Sequence, residues 1–168
     1  MARIEPPNPL PDLVAMTATA QGSAPVTILA LAHCESLLGP FIGWAAALTL
    51  KGALTRRDHE ILALRTAHNC SSEFEWTEHS RFAHAAGLTD EEIDRVATGA
   101  EAGWSRKEEL LIVAADELYR YSSISSRIWK DLTRFYTTSE LIEATYVVGQ
   151  YTMLSMVANV ATAEDGSE

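Results

Sequence analysis

Glu75 and His79 stand four residues apart in the run NCSSEFEWTEH (69–79). On a helix that starts near Ser72, this spacing puts both side chains on one face, as it does Trp76 with Ser80 and Glu73 with Thr77. A carboxylate beside an imidazole favours the protonated ring and makes an acid–base pair able to work near neutral pH. The alternative from spacing alone is a solvated surface pair, because such pairs also occur in purely structural networks. The same run contains Cys70, one of two cysteines with Cys34. A thiol couple is therefore a second chemistry to weigh, against two small buried apolar side chains.

The elements that must carry these residues read as helix after helix. Thr55 has Asp58 three residues on, Thr89 has Glu92, and Ser105 has Glu108. The last two are the S/T-x-x-E capping box, in which each partner satisfies a free backbone N–H. Gly87 ends the helix before Thr89, and Gly99 and Gly103 bracket the next turn. Apolar residues recur at helical spacing from Ile61 and from Leu110. Val26–Leu38 and Phe41–Leu50 look like two apolar helices broken at Gly39-Pro40. From Ser139 to about Thr162 the chain is apolar nearly all round, which predicts a helix central in a bundle or buried in a subunit interface. No second alternating run exists to pair with Tyr146-Val147-Val148, so a sheet is rejected.

Composition sets the outer limits. The 168 residues, 18.4 kDa, are enough for one domain with a real core. With 47% hydrophobic and 21% charged residues the chain resembles an average globular protein and not a disordered one. A net charge of −10 and a pI near 4.9 argue against nucleic acid, since a phosphate-backbone binder needs a dense positive surface. The stretch Gln21–His33, part of a longer uncharged run, is too polar to span a bilayer, so no membrane partner is expected. No secretory signal is visible and cysteines are few, so the expected location is cytoplasmic. Four prolines in residues 6–11 predict an extended Pro-rich arm over 1–11. An all-helical domain over 12–162 and a frayed acidic tail over 163–168 complete the expected organisation.

The run LTRRDHEILALRTAHNCSSEFEWTEHSRFAHAAGLTDEEIDRV resembles the carboxymuconolactone decarboxylase family, which shares an all-helical fold with alkylhydroperoxidase D. The later ADELYRYSSISSRIWKDLTRFYTTSELIEATYVVGQYTMLSMVANV resembles the C-terminal half of longer members, and together the two runs cover Leu54 to Val160. The resemblance implies an all-α single-domain bundle of the alkylhydroperoxidase D-like type. In the peroxidase branch the motif is a Glu, eleven residues, C-x-x-C, three residues and a His. Aligned on His79, the glutamate falls at Glu60, while Ser72 and Glu75 stand in the cysteine positions. Thiol–disulfide chemistry needs an attacking thiolate and a resolving thiol, and a hydroxyl and a carboxylate supply neither. Cys70 lies about 200° round a helix from Ser72 and does not replace it.

The resemblance therefore implies Glu60, Glu75 and His79 as catalytic residues around a small cavity; Ser72, Trp76 and Trp44 are the expected substrate contacts, while Phe41 and Phe74 either wall the pocket or pack in the core. The expected chemistry is cofactor-independent proton transfer: decarboxylation, isomerisation or lactone opening of a small organic acid, lactone or carbonyl compound. Peroxide reduction by Cys34 or Cys70 and non-catalytic ligand binding are the alternatives. Arg56, Arg57, Arg65 and Arg81 flank the motif as possible carboxylate clamps or exposed helix residues. No metal is expected, because no histidine has a glutamate three residues before it as di-iron bundles require. Glu60, Glu75 and His79 could still offer three ligands to one ion. His59, His68 and His84 read as capping or surface residues. Gln150, Tyr151 and Asn159 are polar groups that either reach the cavity or pair across a subunit interface, and the terminal helix with the resemblance points to a homo-oligomer.

Overall fold

The computed structural model describes residues 3–17 and 23–163, and every regular element among them is an α-helix. The expected tail over 163–168 lies outside the described residues from 164 on. Contacts gather into two compact units, Met1–Lys51 with Met156–Glu168, and Gly52–Ser155.

In the first unit, α1 (Asp12–Ala15), α2 (Val26–Leu31) and α3 (Glu35–Lys51) enclose Val14, Ile28, Ala32 and Leu38. Among the described residues ahead of α1 there is no helix. A His33 ring nitrogen donates to the Glu5 carbonyl at 2.9 Å, and the Ile4 N–H donates to the Ala161 carbonyl at 3.4 Å. The expected break at Gly39-Pro40 is wrong: the chain turns at 32–34, and Pro40 sits inside α3. Proline there lacks the N–H that the Ser36 carbonyl would accept. Ser36 is exposed, so water can satisfy that carbonyl and the helix continues.

The second unit holds α4 (Arg56–Asn69), α5 (Glu73–Ala85), α6 (Asp90–Thr98), α7 (Arg106–Tyr121), α8 (Ser126–Leu132) and the beginning of α9 (Thr138–Thr162). Helix starts follow the caps in the sequence. Thr55 accepts from the Asp58 N–H, and both capping boxes form, at Thr89 with Glu92 and at Ser105 with Glu108. Gly87 and Gly99, just past α5 and α6, and Gly103 in the turn before α7 have φ of 89°, 111° and 83°, which glycine adopts at no steric cost.

Helix α4 packs against α5, α6 and α7, and every residue from Asp58 to Ala67 is buried. Ile61 and Leu64 join Ala83, Leu88, Ile93, Val96 and Ile112 in one apolar cluster. Arg65 fills the polar side of α4. Its guanidinium donates twice to Asp116 on α7, at 2.7 and 2.9 Å, and to the Val96 and Ala97 carbonyls at the end of α6, each at 2.9 Å. All these bonds close inside the core, so Arg65 is structural. Helix α9, expected to be central in the bundle or buried in a subunit interface, leaves Ile142, Tyr146, Met153, Met156 and Val160 exposed in the single chain.

Candidate functional site

Glu60 lies in the middle of α4, and the buried turn around it leaves 1% of its surface exposed. Its partner comes from α5. Ser72 caps that helix by accepting from the Glu75 N–H at 3.4 Å, which fixes where the first turn begins. Glu75 is then in the first turn and His79 one turn later, both facing inward at 3% and 6% exposure. His79 Nδ1 donates to Glu60 Oε2 at 2.7 Å, the short distance of a charge-assisted bond. On the other side of the ring, His79 Nε2 is 3.6 Å from Glu75 Oε2. One imidazole thus stands between two carboxyl groups from two helices.

The second carboxyl resists ionisation. Burial pushes the Glu75 pKa upward; His79 opposes this and Glu78 adds to it. A helix N-terminus favours a carboxylate, but its effect of about 0.3–1 kcal/mol is smaller than the cost of stripping water from a charge. Glu75 is therefore suited to hold a proton while Glu60 orients the ring. Arg56 reaches the edge of this arrangement, with Nη2 3.7 Å from Glu60 Oε1 and half its side chain in solvent.

The other flanking arginines bind elsewhere. Arg57 pairs with Glu92 and Glu108, and Arg81 pairs with Glu78 on the surface of α5. Ser72 and Trp76 border a shallow depression with Ala67, His68, Ser71 and Glu73, a set without Glu60, Glu75 or His79. Trp76 also packs on the Ile61 and Leu64 cluster and meets the His68 ring edge-on. Trp44 is exposed on α3 in the first unit. Phe74 is half-buried, and His84 is exposed, 3.2 Å from Asp90. Among the described residues no group of three His, Cys, Asp or Glu is arranged to hold a metal.

One residue of this region was misread from the sequence, and a second, Tyr151, takes the first of its two expected places, beside the site. His59, expected to be a cap or surface residue, is 3% exposed, and a 2.9 Å hydrogen bond joins its Nε2 to the Tyr151 hydroxyl. Burial pushes the His59 pKa down to about 4, with His79 and Arg56 adding to the effect and Glu60 opposing it. At neutral pH it is an uncharged imidazole. Tyr151 bonds within the chain, and its ring stands edge-on to His79, centroids 4.3 Å apart. A tyrosine in an apolar run needs a partner for its hydroxyl, and that was the only signal available.

Neither cysteine is in a disulfide. Burial pushes the Cys70 thiol pKa up, and hydrogen bonds with Thr152 and Ser155 offset part of the shift. A thiol kept protonated is a poor nucleophile.

With this geometry in hand, the model of the carboxymuconolactone decarboxylase family matches residues 40–116, a span that contains Glu60, Glu75 and His79. Over these residues the chain is similar to the carboxymuconolactone decarboxylase family. No curated protein matches it. Two crystal structures share the fold. One is an uncharacterized peroxidase-related protein from Ralstonia eutropha JMP134 with an alkylhydroperoxidase AhpD core. It is 18% identical with a TM-score of 0.79, over 98% of this chain and 93% of that one. The other is an uncharacterized peroxidase-related protein from Silicibacter sp. TM1040, 15% identical with a TM-score of 0.81, over 96% and 88%. The all-α, AhpD-like architecture expected of this carboxymuconolactone decarboxylase relative is thereby shown. No helix among the described residues is long and apolar enough to cross a membrane.

Proposed function

We propose that this protein is an enzyme that moves protons on a small organic acid, lactone or carbonyl compound without a cofactor, by decarboxylation, isomerisation or lactone opening. The observation that carries this reading is the His79 imidazole held by Glu60 at 2.7 Å with the proton-holding Glu75 on its other nitrogen at 3.6 Å. In a decarboxylation, the carbon–carbon bond breaks and its electron pair stays on the substrate as an enolate while carbon dioxide leaves. Glu75 donates its proton to the enolate carbon, and His79 Nε2 returns a proton to Glu75 from solvent. Glu60 stabilises the charged ring in between. The 3.6 Å gap suits a resting site, since catalytic hydrogen bonds often tighten only when substrate is bound.

The test is turnover of a panel of β-keto acids, unsaturated lactones and enolisable ketones in the presence of chelator. Glu75→Gln and His79→Ala should each lower kcat about 100-fold or more. Full turnover in both variants would remove these residues from the mechanism.

Peroxide reduction is the second reading, supported by the two peroxidase-related structures of the same fold. It would run through Cys34 or Cys70, and the protonated state of Cys70 weighs against it. Thiol titration before and after hydroperoxide decides: thiol loss with peroxide consumption selects this reading, and unchanged thiols discard it. A cytoplasmic homo-oligomer is part of the proposal, supported by the unbridged thiols and by the exposed apolar side chains of α9. Light scattering on the purified chain measures the oligomer directly.

A further inference from the structure

The proton-transfer reading uses three side chains, yet a fourth and a fifth are built into the same buried place. The His79 ring lies between two aromatic neighbours, Phe82 at 5.6 Å and Tyr151 at 4.3 Å between centroids, both edge-on. These walls differ in stiffness. Phe82 is one turn along the same helix and largely exposed, so it can swing away at little cost. Tyr151 comes from α9, is 4% exposed, and has its hydroxyl tied to His59 at 2.9 Å. His59 in turn is rooted in buried α4, next to Glu60.

The ring that this wall confines has two useful nitrogens and only one productive orientation. If the imidazole swivels, Nδ1 leaves Glu60 and Nε2 no longer faces Glu75. A histidine's tautomer is set by the hydrogen bond its other nitrogen makes, so a loose ring loses its tautomer as well as its direction. A neutral imidazole can hold the phenol without bringing a positive charge against the His79 ring. His59 at neutral pH fits that need.

We propose that Tyr151 and His59 are the positioning residues of His79: their mutual hydrogen bond fixes the phenol ring that keeps the imidazole aligned between Glu60 and Glu75. The claim of an effect on catalysis rests on the proton-transfer reading; the claim of alignment does not. Neither residue belongs to the spacing motif around Glu60 and His79.

The experiment uses the full chain with nitrogen-15 in its histidines and reads the His79 tautomer from ring nitrogen shifts above pH 8, with no substrate needed. The variants are Tyr151→Phe, which removes only the hydroxyl, His59→Leu, and His59→Gln, whose amide can still reach the phenol. The wild type should show the Nδ1–H form. Tyr151→Phe and His59→Leu should reduce that preference about fivefold or more, the equivalent of one ordinary hydrogen bond, and His59→Gln should restore most of it. A role in packing alone would lower the melting temperature and leave the tautomer untouched. A tautomer ratio within twofold of wild type in folded Tyr151→Phe overturns the proposal, whether or not His59→Leu folds. Once a substrate is known, the same variants should lower kcat with KM nearly constant. If the tautomer responds but no compound is turned over, the alignment stands and the enzymatic reading fails by itself.

Discussion

Helices α4 and α9 invert the usual relation between composition and position. α4, RRDHEILALRTAHN, is rich in charged and titratable residues, yet ten successive positions from Asp58 to Ala67 are buried. α9 is apolar almost throughout and still exposes a row of large side chains. The difference lies in what each polar group can reach. On α4, Asp58 accepts from Lys107, Glu60 from His79, and Arg65 has Asp116 and two carbonyls, so burial leaves no charge without a partner. On α9 the side chains of Ile142, Tyr146, Met153, Met156 and Val160 are exposed.

This contrast can be broken by experiment. Arg65→Ala should cost about 3–5 kcal/mol, because it leaves Asp116 with the neutral Asn69 amide in place of a paired guanidinium and removes the donor to the end of α6. Chemical denaturation measures it, and a loss under 1 kcal/mol would mean that α4 is less locked than its partners imply. His59 makes the next largest effect. Its folded pKa of about 4 lies below the unfolded value of 6.5. The unfolded chain therefore takes up the proton first as pH falls, and stability present above pH 6.5 is lost progressively down to pH 4. The full shift corresponds to about 3 kcal/mol. Denaturation midpoints across that window should show the slope, and His59→Gln should flatten it. Glu75 works in the opposite direction, since its raised pKa reduces stability as pH rises above 4.5.

Thr55→Ala removes the cap at the start of α4 and should cost about 1 kcal/mol. Smallest of all, Met156→Gln on α9 should stay within about 0.5 kcal/mol in a monomer. If it costs more, and light scattering shows a smaller particle, the exposed row is buried between subunits and the contrast with α4 narrows.

Much of the fold was legible because local rules agree with it. Thr55, Thr89 and Ser105 mark helix starts by side-chain chemistry that depends on no distant residue, and Gly87, Gly99 and Gly103 sit where positive φ is required. The meeting of Glu60 with His79 was readable only through the family spacing, since nothing in composition brings two helices together. Pro40 misled because its cost depends on whether water reaches the Ser36 carbonyl, a matter of exposure. The pairing of His59 with Tyr151 escaped because it joins residues 92 positions apart. Arg65 reads as a surface cation unless Asp116 is already known to be opposite it.

The burial of α4 also has a kinetic meaning. Amide hydrogens exchange with solvent when a segment opens, and segments with many buried contacts open last. The α4 amides are shielded by three neighbouring helices, and Arg65 fastens its middle to two of them. Its protons should outlast those of exposed α3 in deuterium oxide. Glu60 then rides on the slowest-opening part of the unit, so its distance to His79 is kept through the fluctuations that fray helix ends and loops.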